Sequence, residues 1–304
     1  MSALQKDCVL LSLTFHRVGL NRRGEKSALA DGVDRVLFGV SKQIMHSEAY
    51  DRAVQIAADT RRWIEARSLW ATERKDCELH GVHSILRGAY FVPTNLLPEV
   101  YSRLAEAEKA YQEAADAFAA EYEACKANAA LRLNSHYREA DYPTVERVRS
   151  SFWVEWRLVD WGTPGAEKVG AAVHSAEESK ARAFWSGVEQ EVASAMRESM
   201  GGLVDRLVNG LGVKANGQRN VVTAATYVQF GEFLDLFSKR NVLNDSELAK
   251  LAEKAKAVMD GTSLDDLRYN EGFRAQAKQE FDQIAAGLDT LLQEPARLVV
   301  FEDD

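Results

Sequence analysis

From Leu97, large side chains recur at seven-residue intervals, at Leu104, Tyr111, Phe118 and Cys125, and smaller ones follow three places on, at Val100, Ala107 and Ala114. A heptad with two apolar positions is the seam of a long helix packed against a neighbour. The fourth companion position is Glu121, where the small-residue seam stops; Tyr122, one residue on, is placed to take over the contact. Asn95 is suited to cap this helix, and Pro98 fits its first turn. A helix from Asn95 to about Leu133 extends roughly 55–60 Å at about 1.5 Å per residue. Alanines along one seam let a partner backbone approach closely, so the pattern asks for a second long helix. Residues from about Ala171 to Leu211 offer one, with Ala181, Phe184, Val188, Val192, Ala195, Met196, Leu203 and Leu207 on one side. The expectation is a long antiparallel coiled-coil hairpin; an intermolecular coiled coil, and so a homo-oligomer, is the alternative.

Between these arms lies the most aromatic stretch of the chain. Pro143 and residues 144–151 predict a short helix. Ser151 to Gly162 (SFWVEWRLVDWG) then alternates, with Phe152, Val154, Trp156 and Leu158 on one face and Trp153, Glu155, Arg157 and Val159 on the other. That is the pattern of a half-buried strand. Residues 8–18 (CVLLSLTFHRV) predict a second strand ended by Gly19, and 83–93, ending at Pro93, a short third strand or an irregular extended piece. Residues 21–34 are polar and predict a loop or a poorly ordered segment, and a helix follows over about 47–70. Towards the C-terminus, helices are predicted over Val222–Lys239, from Asp245 or Ser246 to Gly261, and over about Asn270–Gln293. The fold class is therefore α+β and predominantly α-helical: the hairpin, a small antiparallel sheet and a C-terminal helical bundle. The domain organisation read from this is 1–94, an N-terminal α/β portion; 95–211, the hairpin with its aromatic strand insert (134–165); and 212–304, helical.

Five prolines and 19 glycines in 304 residues argue against long disordered linkers and against a turn-dense all-β fold. The net charge of −8 is uneven: residues 1–75 carry 13 Lys and Arg against 9 Asp and Glu, so an acidic body follows a mildly basic head. Wholesale binding to a phosphate backbone needs a concentrated basic face. A local nucleic-acid contact through Arg17, Arg22, Arg23 and Lys26 stays open. No apolar run reaches the roughly 20 residues that span a bilayer, and the run from Cys8 to Phe15 is too short for a signal peptide. Cys8, Cys77 and Cys125 do not make a disulfide framework. The cytoplasm is the expected compartment.

One cluster resembles metal chemistry: Cys77, His80 and His83, spaced C-x-x-H-x-x-H. Structural zinc takes four such ligands, usually from two separated pairs. On a helix, three-residue steps fan these side chains over roughly 120°, too wide for one ion unless the backbone bends. Glu177-Glu178 and Asp265-Asp266 read as solvated faces and helix starts rather than acid–base pairs. The phosphate-loop, nucleophile-elbow and H-E-x-x-H patterns are all missing, so no catalytic residue and no cofactor is expected. Gly201-Gly202 and Gly210 with Gly212 read as helix ends or a flexible turn. Trp153, Trp156 and Trp161, with Arg157, have three readings: the core of a small sheet, a protein-binding hot spot, or a stacking platform for single-stranded nucleic acid.

Four segments together resemble the domain-of-unknown-function 3150 family of mobile elements and phages. SKQIMHSEAYDRAVQIAADTRRWIEARS is similar to its N-terminal helix. RGAYFVP and the following helix with AFAAEYEA resemble its turn and coiled-coil arm. ADYPTVERVRSSFWVEWRL resembles its proline, short helix and aromatic strand, and TYVQFGEFLDLFSKRNVLNDSEL its C-terminal helix and Asn-rich turn. Such proteins are often encoded beside a MoxR-type AAA+ ATPase and a von Willebrand factor A protein. The resemblance therefore implies an adaptor or scaffold with protein partners in an ATPase assembly, in the host cytoplasm if phage-encoded.

Overall fold

The computed structural model describes residues 2–23, 41–69, 89–159, 171–214 and 216–293. In chain order the described elements are helix α1 (Ala3–Asp7), strands β1 (Cys8–His16), β2 (Asn21–Arg23) and β3 (Ser41–Gln43), and helix α2 (Glu48–Arg67). Strand β4 (Ala89–Pro93) leads through a 3-10 turn into helix α3 (Leu97–Leu133), followed by α4 (Val145–Ser150) and strand β5 (Trp153–Val159). The C-terminal part holds α5 (Ala171–Leu211), α6 (Ala224–Arg240), α7 (Ser246–Asp260), α8 (Leu264–Tyr269) and α9 (Glu271–Gln293). The fold is α+β and predominantly helical. Its sheet is three-stranded and antiparallel in the order β4-β1-β5. None of the described helices is long and apolar enough to cross a membrane.

Several local expectations are met for identifiable reasons. Asp245 caps α7 by accepting from the Leu248 amide at 3.1 Å, Gly261 ends that helix, and the short helix expected after Pro143 is α4. Others are corrected. Asn95 is not the cap of α3: it lies inside the 3-10 turn Thr94–Leu96. Residues 21–23 are a strand rather than loop, because Asn21 pairs with Gln43 and Arg23 with Ser41. Gly201 and Gly202 are neither helix ends nor a turn: they sit inside α5, with open space where a side chain would project. Only Gly210 and Gly212 lie at the helix end, and a Cβ at Gly210 would come within 3.2 Å of the Val222 side chain, a tight contact that Val222 would have to yield to.

The chain clusters into two compact units, each assembled from discontinuous segments: Met1–Leu11, Glu65–Leu97 and Leu158–Asp304 make one, Ser12–Ile64 and Pro98–Arg157 the other. The sequence reading instead divides the chain into consecutive portions, since sequence alone does not reveal which strands pair.

In the first unit α5 packs along α9 and against α6, and α7 packs on α6 and α9. Val188, Val192, Met196, Met200, Val204 and Leu207 give α5 a buried stripe at mostly four-residue spacing. Phe230 and Phe281, both fully buried, meet edge to face at 5.8 Å between centroids. Two buried arginines fasten this bundle. Arg197 of α5 donates to Asp245 at 2.7 Å and to the Leu291 carbonyl at 2.7 Å. Arg274 of α9 donates to the carbonyls of Leu267, Gly210 and Asn220 at 2.8–2.9 Å, which ties the loop after α5 to the ends of α8 and α9.

The second unit is organised by α3. Val100, Leu104, Ala107, Tyr111, Ala114 and Phe118 are all buried, so the heptad seam is the buried face. Tyr122 is buried in place of Glu121, as the interruption of the small-residue seam implies. What fills the seam differs from the expected second long helix. Tyr111 meets Phe15 of β1 at 5.1 Å, Phe118 meets Tyr50 of α2 at 5.4 Å, and Phe152 lies 5.8 Å from both Tyr111 and Phe118. The two long helices also fall in different units, each with neighbours of its own. Aromatic rings from strand β1, the first turn of α2 and the loop before β5 therefore lie against this seam. Four tyrosine hydroxyls close the unit by donating to backbone carbonyls: Tyr50 to Val18, Tyr111 to His16, Tyr122 to Pro143 and Tyr142 to Ile44, at 2.5–2.9 Å.

Candidate functional site: an aromatic edge strand

The alternation of residues 152–159 decides what the molecule presents. Phe152 is buried in the ring cluster of the second unit, and the next residue, Trp153, is 45% exposed. Anchoring the first aromatic inward forces the second outward, because successive side chains of an extended chain point to opposite sides. β5 has no fully buried residue along its length. It ends the sheet order, so among the described residues no strand pairs with its outer side.

Each face of β5 carries an aromatic pair. On one, Trp153 stacks flat on His16 of β1, with centroids 3.5 Å apart and planes 4° from parallel. Glu155 lies on the same face, its Oε2 3.7 Å from His16 Nε2, and accepts from Arg157 at 2.5 Å. On the other, Trp156 meets Tyr101 of α3 at 4.9 Å with planes near perpendicular; Tyr101 is itself 44% exposed. Large amphipathic rings held rigid by ring–ring contacts beside a charged pair are suited to recognition.

Trp153, Trp156 and Arg157 all lie on β5, with Trp156 on the face opposite the other two. Trp161, Lys26, Cys77, His80 and His83 lie outside the described residues. Among the described residues no group of three or more His, Cys, Asp and Glu side chains could hold a metal ion. Arg17 is exposed after β1. Arg22 donates to the carbonyls of Gly19, Asn21 and Asp141 at 2.8–3.2 Å, which commits its guanidinium to the fold, and Arg23 belongs to β2. His16 and Tyr101, partners of the two tryptophans, are not singled out by the sequence. His16 continues the alternation of its strand and Tyr101 sits off the heptad seam, so neither shows a signal of its own.

Two grooves also open on the described surface. One, of about 320 Å³, is lined by residues 43–46 and by the last turns of α3, including Cys125 and Arg132. Burial and the neighbouring Glu121 carboxylate push the Cys125 thiol up, which disfavours the thiolate a nucleophile needs. Glu121 itself accepts from Ser47, the residue before α2, at 2.5 Å. The other groove, about 380 Å³, lies between α6 and α7, with Phe237 and Ala252 on its walls and the Asp235–Lys256 pair at its rim.

No protein-family model, no curated protein and no solved structure matches this chain.

Proposed function

We propose that this protein is a non-enzymatic adaptor whose contact element is β5 with its flanking rings. The observation that carries the reading is the presentation of Trp153 and Trp156 on opposite faces of a terminal strand, beside Arg157. Trp, Tyr and Arg dominate binding hot spots, and a terminal strand offers main-chain groups to a protein partner as well. The partner class comes from the resemblance described above: a MoxR-type AAA+ ATPase and a von Willebrand factor A protein, in a mobile element or phage. The alternative of a nucleic-acid accessory factor draws less support, because Arg22 is occupied by backbone carbonyls.

Size exclusion with light scattering tests this, on the purified chain alone and mixed with the ATPase encoded beside it. Co-elution is expected, and Trp153→Ala should weaken it by at least about tenfold, since hot-spot truncations cost about 2 kcal/mol or more. A chain that never co-elutes removes the reading. Salt-sensitive retention of single-stranded DNA would move it to the nucleic-acid alternative.

A further inference from the structure

We propose that the outer edge of β5 pairs with β5 of a second copy of this chain, antiparallel and in a register centred on Trp156. The inference rests on the reading of β5 as a contact element and names one occupant for it. Edge strands of soluble proteins are usually guarded by proline, by uncompensated charge or by a covering segment. Trp153–Val159 contains no proline, and its only two charges, Glu155 and Arg157, are opposite in sign.

The sequence of the strand is nearly symmetric about its middle. Around Trp156 stand Glu155 and Arg157, then Val154 and Leu158, then Trp153 and Val159. In an antiparallel pair of identical strands, outward-pointing main-chain groups stay opposite one another only when the two-fold axis passes through a residue pair. Centring on Glu155 sets carboxylate against carboxylate, and centring on Arg157 sets guanidinium against guanidinium. Centring on Trp156 faces Glu155 of each copy with Arg157 of the other, twice. It also pairs apolar residues at every remaining position, and it alone uses all seven residues. Opposite charges directly across a strand pair are stabilising and like charges destabilising. The Trp156 rings of the two copies would then be neighbours on the face that carries Tyr101.

A single strand pair lies at the small end of specific interfaces, so the dimer is weak and forms with rising concentration. Sedimentation of the purified full chain should show a mass rising from 33.9 kDa towards twice that value. Glu155→Arg and Arg157→Glu should each weaken self-association by at least about tenfold, and the two combined should restore it, because the charge pairs are rebuilt with their signs exchanged. Arg157 is exposed and Glu155 half-buried, and circular dichroism should show an unchanged fold. Under oxidation Trp156→Cys should give covalent dimer above the wild-type background, whereas Val154→Cys, which faces Leu158 of the second copy, should not. A mass that stays at the monomer across the concentration range overturns the proposal, as does self-association indifferent to both single reversals. Because no other protein is present, either result leaves the adaptor reading to its own co-elution test.

Discussion

Arg197 and Asp245 are each about 4% exposed at the side chain and joined at 2.7 Å. Asp245 has a second task, since its other carboxylate oxygen caps α7 through the Leu248 amide. Removing one member of a buried ion pair leaves the other charge uncompensated. Asp245→Ala should therefore lower unfolding free energy by about 3–5 kcal/mol, with about 1 kcal/mol more for the lost cap. Chemical denaturation followed by circular dichroism measures it. A second residue-scale consequence concerns alkaline pH. Burial pushes the Tyr111 and Tyr122 hydroxyls up to about 12 from 10.0, and the Cys8 thiol to about 12 from 9.0. A group whose folded value is raised adds stability that is whole below its unfolded value and fades as pH climbs towards the folded one. Stability should thus fall between about pH 9 and 12, with Cys8 contributing first and the tyrosines above pH 10. Tyr111→Phe should blunt the upper part of that loss. Tyrosinate absorbance against pH, beside the unfolding midpoint, is the measurement.

At the scale of the element, α3 is the part most legible in sequence. Its heptad marks the buried face because a seven-residue apolar repeat on an α-helix keeps one side apolar over its whole length, whatever lies against it. The repeat does not encode what fills the seam. Phe15, Tyr50 and Phe152 come from three separate segments, and only the folded chain brings them to Tyr111 and Phe118. Phe118→Ala should cost about 3–5 kcal/mol, as expected for a fully buried ring. Glu121 is the sharper test. As a defect in a coiled-coil seam it would be improved by leucine. As the acceptor of the Ser47 hydroxyl it should instead be worsened, with Glu121→Leu destabilising by about 1.5 kcal/mol. Urea midpoints of the two variants decide both points. β5 was readable for a similar reason: period-two alternation shows a strand, and the position of Phe152 fixes which residue turns outward.

At the scale of the molecule, charge is partitioned by unit. Of 38 Lys and Arg and 46 Asp and Glu, the unit containing α3 carries 17 and 17, leaving 21 and 29 for the other. Neither unit has the basic excess that drives salt-dependent binding to a polyanion. Retention on heparin at low salt should accordingly be weak, and elution well below physiological ionic strength is the expected result. What the sequence by itself determined is everything written in local periodicity: the helical class, the long helices and the face α3 buries, the aromatic strand and the Asp245 cap. Those features depend on residues within a few turns of one another. Only the tertiary structure decided which segments share a core, that β1 sits between β4 and β5, and that the two long helices belong to different units. It alone placed His16 under Trp153 and Tyr101 against Trp156, because contacts between residues far apart in the chain leave no period for a sequence to show.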